Sequence, residues 1–329
     1  MKKSILIFGF SCFALLGKTQ DFHLSMYDAG PLFLNPAMTG VFEGDWRLHA
    51  QQRTQWRTVN FKPYNTSLLS FDMPTGKWGF GAQIINMRAG LGNYNALQGT
   101  VSAAYTVPLD RKKTHNFSMG LQAGVTQKSV EYQLLTYDNQ YVTTNGGGFD
   151  NSLPSGENFQ SNSVLVPQLN AGLLYYHSKQ QSRLNPFLGV SAFNLLTPKE
   201  SFFSGPNKLP MRFYAHTGVR INITEFIYVL PKVLYMMQSS ASEITAACDA
   251  GFFMKQSEVM VLGGVVYRNK DAAILSLGAR KGNFTGKLAY DINISTLQPS
   301  SNGKGAFEVS LTYIGKKPKS KTQKICPRI

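Results

Sequence analysis

Apolar and polar residues alternate near the end of the chain, in the stretch KGAFEVSLTYIGKK at 304–317. Its apolar positions are Phe307, Val309, Leu311 and Tyr313, and its intervening polar positions are Glu308, Ser310 and Thr312. Alternation with a period of two places the two sets on opposite faces of a β-strand, because successive side chains of a strand point in opposite directions. The apolar face must therefore contact either a protein core or lipid.

The same alternation recurs in fourteen segments from Trp46 onward, separated by residues typical of turns. Most segments are about as long as the roughly 9–11 residues that a tilted transmembrane strand requires. They exceed the roughly 5–6 residues that are usual in soluble sheets. The predicted strands cover 46–53, 65–72, 78–87, 96–107, 115–127, 167–177, 185–195, 212–222, 226–238, 242–253, 258–267, 272–280, 283–294 and 305–314.

The connections between these segments differ in length according to their order. The even-numbered connections are short and cover 73–77, 108–114, 178–184, 223–225, 254–257 and 281–282. The odd-numbered connections include the two longest, 128–166 and 196–211. Long loops at one end, tight turns at the other and an even number of strands are typical of a bacterial transmembrane β-barrel. A soluble sheet has no reason to sort its loops in this way.

Aromatic residues recur near the segment ends, as in the two aromatic girdles of a membrane barrel. They are Phe71, Trp78, Tyr105, Phe117, Tyr175, Phe187, Phe213, Tyr235, Phe252, Tyr267, Phe284 and Tyr313. Lys287, Asp291 and Asn293 share one strand face, where two charges suit a polar lumen but not lipid. We therefore predict an all-β fold, a transmembrane antiparallel β-barrel of about 14 strands over 46–314. The apolar face of 304–317 then contacts lipid.

The chain begins with the features of a secretory signal peptide. Two lysines precede an apolar run over 5–16, which is too short to span a membrane as a helix, and small residues suited to cleavage follow. We predict that residues 1–19 are removed before Gln20 and that the protein is exported. A lipoprotein anchored through Cys12 is not supported, because the apolar run continues beyond this cysteine.

Composition narrows the range of partners. Removal of the leader leaves 30 basic and 18 acidic residues, a formal charge of +12. Nucleic acid is not expected as a partner, since the basic residues are spread thinly outside the tail and the protein is exported. Anionic head groups of outer-membrane lipids, or acidic proteins, are expected instead. In an oxidising compartment Cys248 and Cys326 either form a disulfide or remain separate thiols.

Three stretches go beyond a generic barrel. They are YDAGPLFLNPAMTG at 27–40, RTQWRTV at 53–59, and the C-terminal runs YRNKDAAILSLGAR, GKLAYDINISTLQPSSNGKGAFEVSLTYIG and CPRI. Together they resemble the PorP/SprF family of type IX secretion and gliding-motility membrane proteins, over essentially the whole mature chain. The final Ile329 differs from the aromatic residue expected there in this family.

This resemblance implies an integral outer-membrane barrel that supports the secretion or surface attachment of particular cargo. The implied cargo is a large adhesin-like protein with a C-terminal signal. The resemblance also implies contact with the periplasmic ring proteins of the secretion machine.

The segment 20–45 precedes the first strand and is apolar and rich in turn residues. Its motif LNPAMTG includes Leu34, Asn35, Pro36, Ala37 and Gly40. Because an apolar segment without a strand partner must be buried, we predict that it enters the lumen as a plug. It would then be similar to the N-terminal hatch of FadL-type barrels, which carry a similar Asn-Pro-Ala sequence. A periplasmic docking peptide is the alternative.

The motif RTQWR lies at the mouth of the first predicted hairpin. We expect Arg53 and Arg57 near the lipid head groups and Trp56 at the outer interface as an anchor. Cargo binding is the less favoured alternative for this motif.

The loop 128–166 is the longest irregular stretch, and a loop of more than roughly 15 residues is usually functional or disordered. It would face the exterior, which makes it the best candidate for contact with cargo, and a mobile lid is the alternative. We expect the aromatic residues of the shorter loop 197–210 to pack over the barrel mouth more than to bind cargo. The candidate cargo-facing residues are Tyr141, Phe149, Asp150, Phe159, Phe202 and Phe203.

The tail 315–329 is basic and leaves the last strand on the periplasmic side. Its candidate docking residues are Lys316, Lys317, Lys319, Lys321, Cys326, Pro327 and Arg328. Such a run is either a solvated tail or a docking tag for an acidic face of a periplasmic partner. Electrostatic docking of this kind should weaken with salt.

The sequence does not predict catalysis. Its five histidines are scattered without metal-ligand spacing, and it has no Gly-x-Ser-x-Gly motif. We therefore expect no enzyme activity and no cofactor. Two functional alternatives to a secretion component remain, a FadL-like outer-membrane transporter of small apolar solutes and a passive anchor for a surface filament. The polar inward faces of the last two strands argue against the transporter.

Overall fold

The computed structural model describes residues 23–55, 62–179, 182–203, 205, 207–296 and 298–316. Within them, fourteen long strands form one closed antiparallel sheet. In chain order they are β1 (Trp46–Gln55), β2 (Tyr64–Thr75), β3 (Trp78–Ala89), β4 (Tyr94–Pro108), β5 (His115–Ser129), β6 (Ser163–His177), β7 (Leu184–Phe193), β8 (Arg212–Asn222), β9 (Ile227–Gln238), β10 (Ala241–Met254), β11 (Val259–Arg268), β12 (Ala272–Lys281), β13 (Phe284–Asn293) and β14 (Lys304–Gly315). The predicted barrel is confirmed, and each predicted strand end lies within four residues of the observed one.

The barrel closes where the last strand meets the first. Each strand pairs with its neighbours in the sequence, and β14 pairs with β1 from Trp46↔Gly315 to Gln55↔Ala306. Closure removes the free sheet edges, whose backbone N–H and C=O groups would have no hydrogen-bond partners in lipid.

The two faces of the sheet differ as the alternation predicts. On β14, Phe307 and Leu311 are exposed on the outside of the barrel, whereas Glu308 and Ser310 are buried inside it. Asp291 is buried on the inward face of β13 as well. The outward apolar side chains of this closed barrel form the surface that lipid covers.

One predicted girdle position is wrong. Phe187 shares the inward face of β7 with the buried Ser191, and its ring centroid lies 6.0 Å from that of His216. Its ring therefore lies in the lumen and not at the membrane interface. The alternation around it already indicated this, because Gly189 and Ser191 have the same parity.

The two ends of the barrel differ in their connections. At one end, the short-turn end, the connections are 76–77, 109–114, 178–183, 223–226, 255–258 and 282–283. At the other end, the long-loop end, they are 56–63, 90–93, 130–162, 194–211, 239–240, 269–271 and 294–303. The two longest connections lie together at one end, as predicted.

The barrel wall is lower on one side at the long-loop end. β6 pairs fifteen residues with β5 but six with β7, because β7 ends at Phe193. The loop 194–211 continues from there and bends over the lumen, so that it lines the cavity described below.

The helical turns are short and are not part of the barrel wall. One helical turn, Pro31–Leu34, and a 3₁₀ turn, Pro36–Met38, precede β1, and the helical turn Gln298–Ser301 lies between β13 and β14. Among the described residues, no helix has the length and apolar character needed to cross a membrane.

Candidate functional site

Residues 23–40, the lumenal segment, run through the inside of the barrel. Ser25 hydrogen-bonds to Asp291 on β13, the Leu34 carbonyl accepts from Ser191 on β7, and Thr39 donates to Ser102 on β4. These three strands lie on different sides of the wall, and the contacting side chains all face inward. The segment is therefore enclosed by the barrel.

The lumenal segment runs from the long-loop end towards the short-turn end. His23 lies 3.7 Å from Glu243, two residues from the long-loop end of β10. At its other end, the Gly40 N–H donates to Asp72 near the short-turn end of β2. β1 then begins at the short-turn end, so the segment extends most of the way along the lumen.

The predicted motif forms a tight turn at the centre of this segment. The Asn35 side chain accepts from the Ala37 N–H at 2.9 Å and donates to the Leu173 carbonyl at 3.0 Å. Prolines suit the first positions of the two helical turns, where no intrahelical N–H is required. Asn35 thus caps the second turn and fastens it to the wall.

Two glycines of the wall make room for this turn. A Cβ added at Gly172 would lie 1.9 Å from the Asn35 Oδ1, and one added at Gly120 would lie 2.3 Å from the Pro36 carbonyl carbon. Both glycines face inward on neighbouring strands, β6 and β5. Leu34, Asn35, Pro36 and Ala37 are buried together in this groove, and Gly40 lies 2.7 Å from Asp72.

Each buried apolar cluster in the described part of the chain contains residues of the lumenal segment. Met26 packs among small and aliphatic residues of β10 to β13. Tyr27 and Leu34 pack with Phe193 and its neighbours on β8 and β9, and Leu24 packs with Phe33 against β2 and β3. Since the inward faces of the wall are mostly polar, the segment supplies the core that the wall lacks.

A buried ion cluster anchors the start of the segment. Arg53 on β1 lies 3.0 Å from Asp291 and 3.2 Å from Glu308. Glu308 also accepts from the backbone N–H groups of Ser25 and Met26, at 2.8 and 2.9 Å. The expectation that Arg53 lies near lipid head groups is therefore wrong. Arg57 and Trp56 lie outside the described residues.

A second ion cluster holds the middle of the segment. Lys232 on β9 lies 2.5 Å from Asp28 of the lumenal segment and 2.6 Å from Asp249 on β10. Lys287 on β13 lies 3.6 Å from the same Asp249 oxygen. Asp28 thus takes part in a charge-paired group that spans five strands of the wall, which makes its burial tolerable.

A third ion pair holds the end of the segment. Arg47 on β1 donates two hydrogen bonds to Asp72 on β2, at 2.9 and 2.7 Å. The same carboxylate accepts from the Gly40 N–H at 2.7 Å. Three separate charged groups therefore fix the segment along its length.

A cavity of about 910 Å³, the outer chamber, lies above the lumenal segment at the long-loop end. Its lining mixes aliphatic, aromatic, amide and charged side chains. The chamber is lined by residues of β1 to β9, of the loops 130–162 and 194–211, and by His23 of the segment. Ile85 forms part of its base and packs with Leu24 and Phe33 beneath it.

Aromatic contacts join the two long loops over the chamber. The Phe159 ring stacks on Tyr132 at 4.3 Å and contacts Phe203 at 4.4 Å between centroids. The Phe202 carbonyl accepts from the Gln160 N–H at 2.9 Å. Phe159, Phe202 and Phe203 therefore hold the loops to each other.

The tip of the loop 130–162 is a small hairpin. The two-residue strands Tyr141–Val142 and Gly148–Phe149 pair, and the two rings meet edge to face at 5.3 Å. Tyr141 is 50% exposed and Phe149 is 52% exposed, so both rings remain accessible. Asp150 follows the hairpin, where the Ser152 hydroxyl and N–H lower the pKa of its carboxyl group.

The short-turn end is basic. Lys77, Lys179, Arg183, Lys255 and Lys281 are exposed there, and the turn 109–114 adds Arg111, Lys112 and Lys113. Asp110 in this turn accepts from the His115 N–H and the Thr114 hydroxyl, which lower the pKa of its carboxyl group. This carboxylate therefore shapes the turn that presents the three cations.

The tail begins at this basic end. Lys316 is exposed and lies 4.0 Å from Glu43. The other predicted docking residues, Lys317, Lys319, Lys321, Cys326, Pro327 and Arg328, lie outside the described residues, as does the predicted signal peptide. Cys248 is an exposed free thiol on the outward face of β10, midway along the strand.

Comparisons with known proteins agree with this architecture. The family described as "Type IX secretion system membrane protein PorP/SprF" matches residues 16–313. A search of curated proteins finds no significant match. Solved structures with a similar fold include the toluene transporter TbuX of Ralstonia pickettii, with a TM-score of 0.51, 12% identity, and coverage of 87% of this chain and 92% of that chain.

Two further solved structures are similar to the same extent. The toluene transporter TodX of P. putida has a TM-score of 0.50, 9% identity, and coverage of 86% of this chain and 93% of that chain. The CymD monoaromatic hydrocarbon channel has a TM-score of 0.50, 13% identity, and coverage of 88% and 93%. At these identities the likeness concerns the fold alone.

Proposed function

Because the chain belongs to the PorP/SprF family of type IX secretion system membrane proteins, we propose that this outer-membrane barrel supports the secretion or surface attachment of adhesin-like cargo. The family match over nearly the whole chain is the observation that carries the proposal. The cargo would bear the C-terminal signal that the machine exports.

The lumenal segment acts as a plug in this proposal. Three buried ion groups hold the segment in place, and the segment supplies residues to each apolar cluster of the described chain. A barrel filled in this way does not offer an open aqueous path for a protein, so the cargo would be handled at the ends of the barrel. The barrel would act as a receiver or anchor and not as the export channel.

The long-loop end faces the exterior, as longer loops do in outer-membrane barrels. There the exposed Tyr141 and Phe149 of the tip hairpin are the residues best placed to contact cargo, since accessible aromatic side chains are common anchors of protein interfaces. Phe159 and Phe203 contribute indirectly, by holding the loops that position this hairpin.

The short-turn end faces the periplasm and meets the ring proteins of the machine. The exposed cations of its turns, together with the basic tail that starts at Lys316, would attract an acidic surface. Because such attraction is screened by salt, this association should weaken as ionic strength rises. The protein truncated after residue 316 should then co-purify with less ring protein in low salt. Unchanged recovery of the ring protein would exclude the tail from docking.

The first test is deletion of this gene followed by mass spectrometry of surface and secreted proteins. Loss of one large adhesin-like protein, or of a few, is the expected result. The matched control is the same strain complemented with the intact gene. An unchanged set of surface and secreted proteins would refute the secretion role.

A transporter of small apolar solutes is the second candidate. The observation that favours it is the outer chamber, whose lining includes Met87, Leu91, Leu135, Phe193 and Leu209. The solved structures of similar fold are named as two toluene transporters and a monoaromatic hydrocarbon channel. Slower uptake of such solutes in the deletion strain, with unchanged surface proteins, would favour this candidate over the secretion role.

A further inference from the structure

Three neighbouring polar side chains, the polar row, face the outer chamber from β4, β5 and β6. Gln98 and Thr126 are direct cross-strand partners. Gln168 lies two residues from Val166, which is the partner of Thr126 on the other side. All three line the chamber. The row therefore runs across the wall, with adjacent strands about 5 Å apart.

The polar row is not used by the fold. The Thr126 hydroxyl is buried, with the residue 4% exposed, and it has no hydrogen-bond partner within the described part of the chain. Gln98 and Gln168 likewise make no side-chain hydrogen bond to any described residue, although Gln168 is 7% exposed. Because buried polar groups are normally paired, the unpaired Thr126 hydroxyl calls for a partner, and the two glutamine side chains beside it are free to hydrogen-bond to an occupant of the chamber.

Some other polar side chains of the chamber are paired within the fold, whereas His23 and Arg53 each keep one buried nitrogen without a hydrogen-bond partner among the described residues. Asn170 donates to Gln122 at 2.8 Å and accepts from the Asn194 N–H at 3.0 Å. Lys128 lies 2.5 Å from Glu200. The chamber therefore contains polar side chains that are paired within the fold, next to a row whose side chains are not.

Apolar residues line the chamber as well, beside charged and amide side chains. Phe193, Leu209 and Pro210 line it from the end of β7 and from the loop 194–211, and Leu135 lines it from the other long loop. An extended peptide has the matching chemistry, because its backbone presents both donors and acceptors and its side chains alternate to either side. A small apolar solute would leave the polar row unpaired.

We propose that the outer chamber binds an extended peptide segment of the cargo. The polar row hydrogen-bonds to the backbone of this segment, while the apolar lining residues hold its side chains. This inference rests on the proposed function, because it deepens the role of the long-loop end in holding cargo.

Photo-crosslinking tests this inference in intact cells that express the full chain. Gln168→p-benzoylphenylalanine places the crosslinker in the chamber, and Gln127→p-benzoylphenylalanine is the matched control on the outward face of β5. The expected result is a crosslink from position 168, absent from position 127, to the same protein that disappears from the surface of the deletion strain. Its mapping to one short segment of that protein would support the inference.

Other crosslinking results separate the inference from the proposed function. A crosslink to that cargo from Phe149→p-benzoylphenylalanine but not from position 168 would overturn the chamber as a peptide site and leave the proposed function intact. A crosslink from position 168 to glycan or lipid alone would also overturn it. If the deletion strain loses no surface protein, both the proposed function and this inference fail.

A variant series provides the second test. The combination Gln98→Leu, Thr126→Val and Gln168→Leu removes the hydrogen-bonding groups and keeps the side-chain size similar, with Gln127→Leu as the control. Loss of three hydrogen bonds is expected to lower cargo retained at the surface by roughly 10- to 100-fold. Each variant is first checked for folding by its heat-modifiable migration on gels. Unchanged cargo retention by the folded triple variant would overturn the inference.

Discussion

Arg53 and Glu308 are direct cross-strand partners on β1 and β14, and their side chains meet inside the barrel at 3.2 Å. Glu308 is fully buried, and Arg53 is 2% exposed. The same carboxylate accepts two backbone N–H groups from the lumenal segment. One side chain therefore joins the closing seam of the barrel to the segment that fills it.

Removing this carboxylate should destabilise the barrel strongly. Glu308→Ala leaves Arg53 and the Ser25 and Met26 N–H groups short of a buried partner, and loss of one member of a buried ion pair typically costs about 3–5 kcal/mol. We expect a lower free energy of unfolding in detergent micelles, measured by urea titration of tryptophan fluorescence.

The control for this prediction is Glu258→Gln, which removes an exposed charge from a short turn. It should change the unfolding free energy by no more than about 0.5 kcal/mol. Equal effects of the two substitutions would contradict the anchoring role of Glu308.

Filling the groove under the Asn35 turn should displace the lumenal segment. Gly120→Val places atoms against the Pro36 backbone, which cannot move as a flexible side chain would. We expect a loss of about 1–3 kcal/mol or expulsion of the turn from its groove. Faster proteolysis within the lumenal segment would report the expulsion.

Gly99→Val is the matched substitution for this experiment. Gly99 lies on the outward face of β4, and an added Cβ has no neighbour within 4 Å. Its proteolysis and stability should therefore equal those of the unchanged protein. If Gly120→Val behaves in the same way, the segment does not need the groove.

Deleting residues 23–40 should open the barrel to ions. The unchanged protein is expected to show little conductance in planar bilayers, because the segment occupies the lumen. Without it the inward faces enclose a polar, water-accessible path of the kind found in wide barrels. A deletion of the tip hairpin 141–149 is the control and should not conduct. High conductance of the unchanged protein would refute the plug role.

The aromatic residues at the base of the loop 130–162 and those at its tip should respond differently to substitution. Phe159→Ala removes the stacking on Tyr132 within the loop 130–162 and the contact with Phe203 that joins this loop to the loop 194–211. Because each aromatic pair contributes about 0.5–1.5 kcal/mol, cleavage of the loop 130–162 by added protease should accelerate roughly five- to fiftyfold.

Phe149→Ala tests the other set within the same loop. Phe149 contacts Tyr141 at the exposed tip and does not join the loops, so its substitution should leave proteolysis nearly unchanged. Surface retention of cargo should fall instead. Equal acceleration of proteolysis by both substitutions would contradict the division of roles.

The sequence was sufficient to predict the wall of this barrel. Alternation fixes which side chains face lipid, because a strand in a closed barrel has one apolar and one polar environment. The loop lengths then distinguish the two ends of the barrel. These features are local, and each can be identified from about ten neighbouring residues.

The position of Arg53 was missed because its partners are distant in the sequence. A charged residue at a strand end suits either a head-group position or a lumen, and Asp291 and Glu308 lie more than 230 residues away. The parity of His49, Gln51 and Arg53 on β1 was a usable indication, since the first two are buried inside. Phe187 was missed although Gly189 and Ser191, which have the same parity on its strand, already indicated the inward face.

The position of the lumenal segment was predicted only in outline. Its apolar turn-rich character required burial, but the acceptors for Asn35 and the glycines opposite Pro36 come from strands far along the chain. The aromatic contacts between the two long loops also depend on tertiary structure. Local patterns contain no information about either arrangement.

The way the lumenal segment is enclosed has a consequence for biogenesis. Ser25 and Glu308 are 283 positions apart, and the strand that carries Glu308 also completes the cylinder. The segment must already lie within the curling sheet when β1 and β14 meet, because all three of its ion groups face inward. We therefore expect folding to be a wrapping event, in which an unfinished sheet rolls around its own leading residues. When the last strand pairs with the first, its carboxylate meets two backbone amides from the start of the chain.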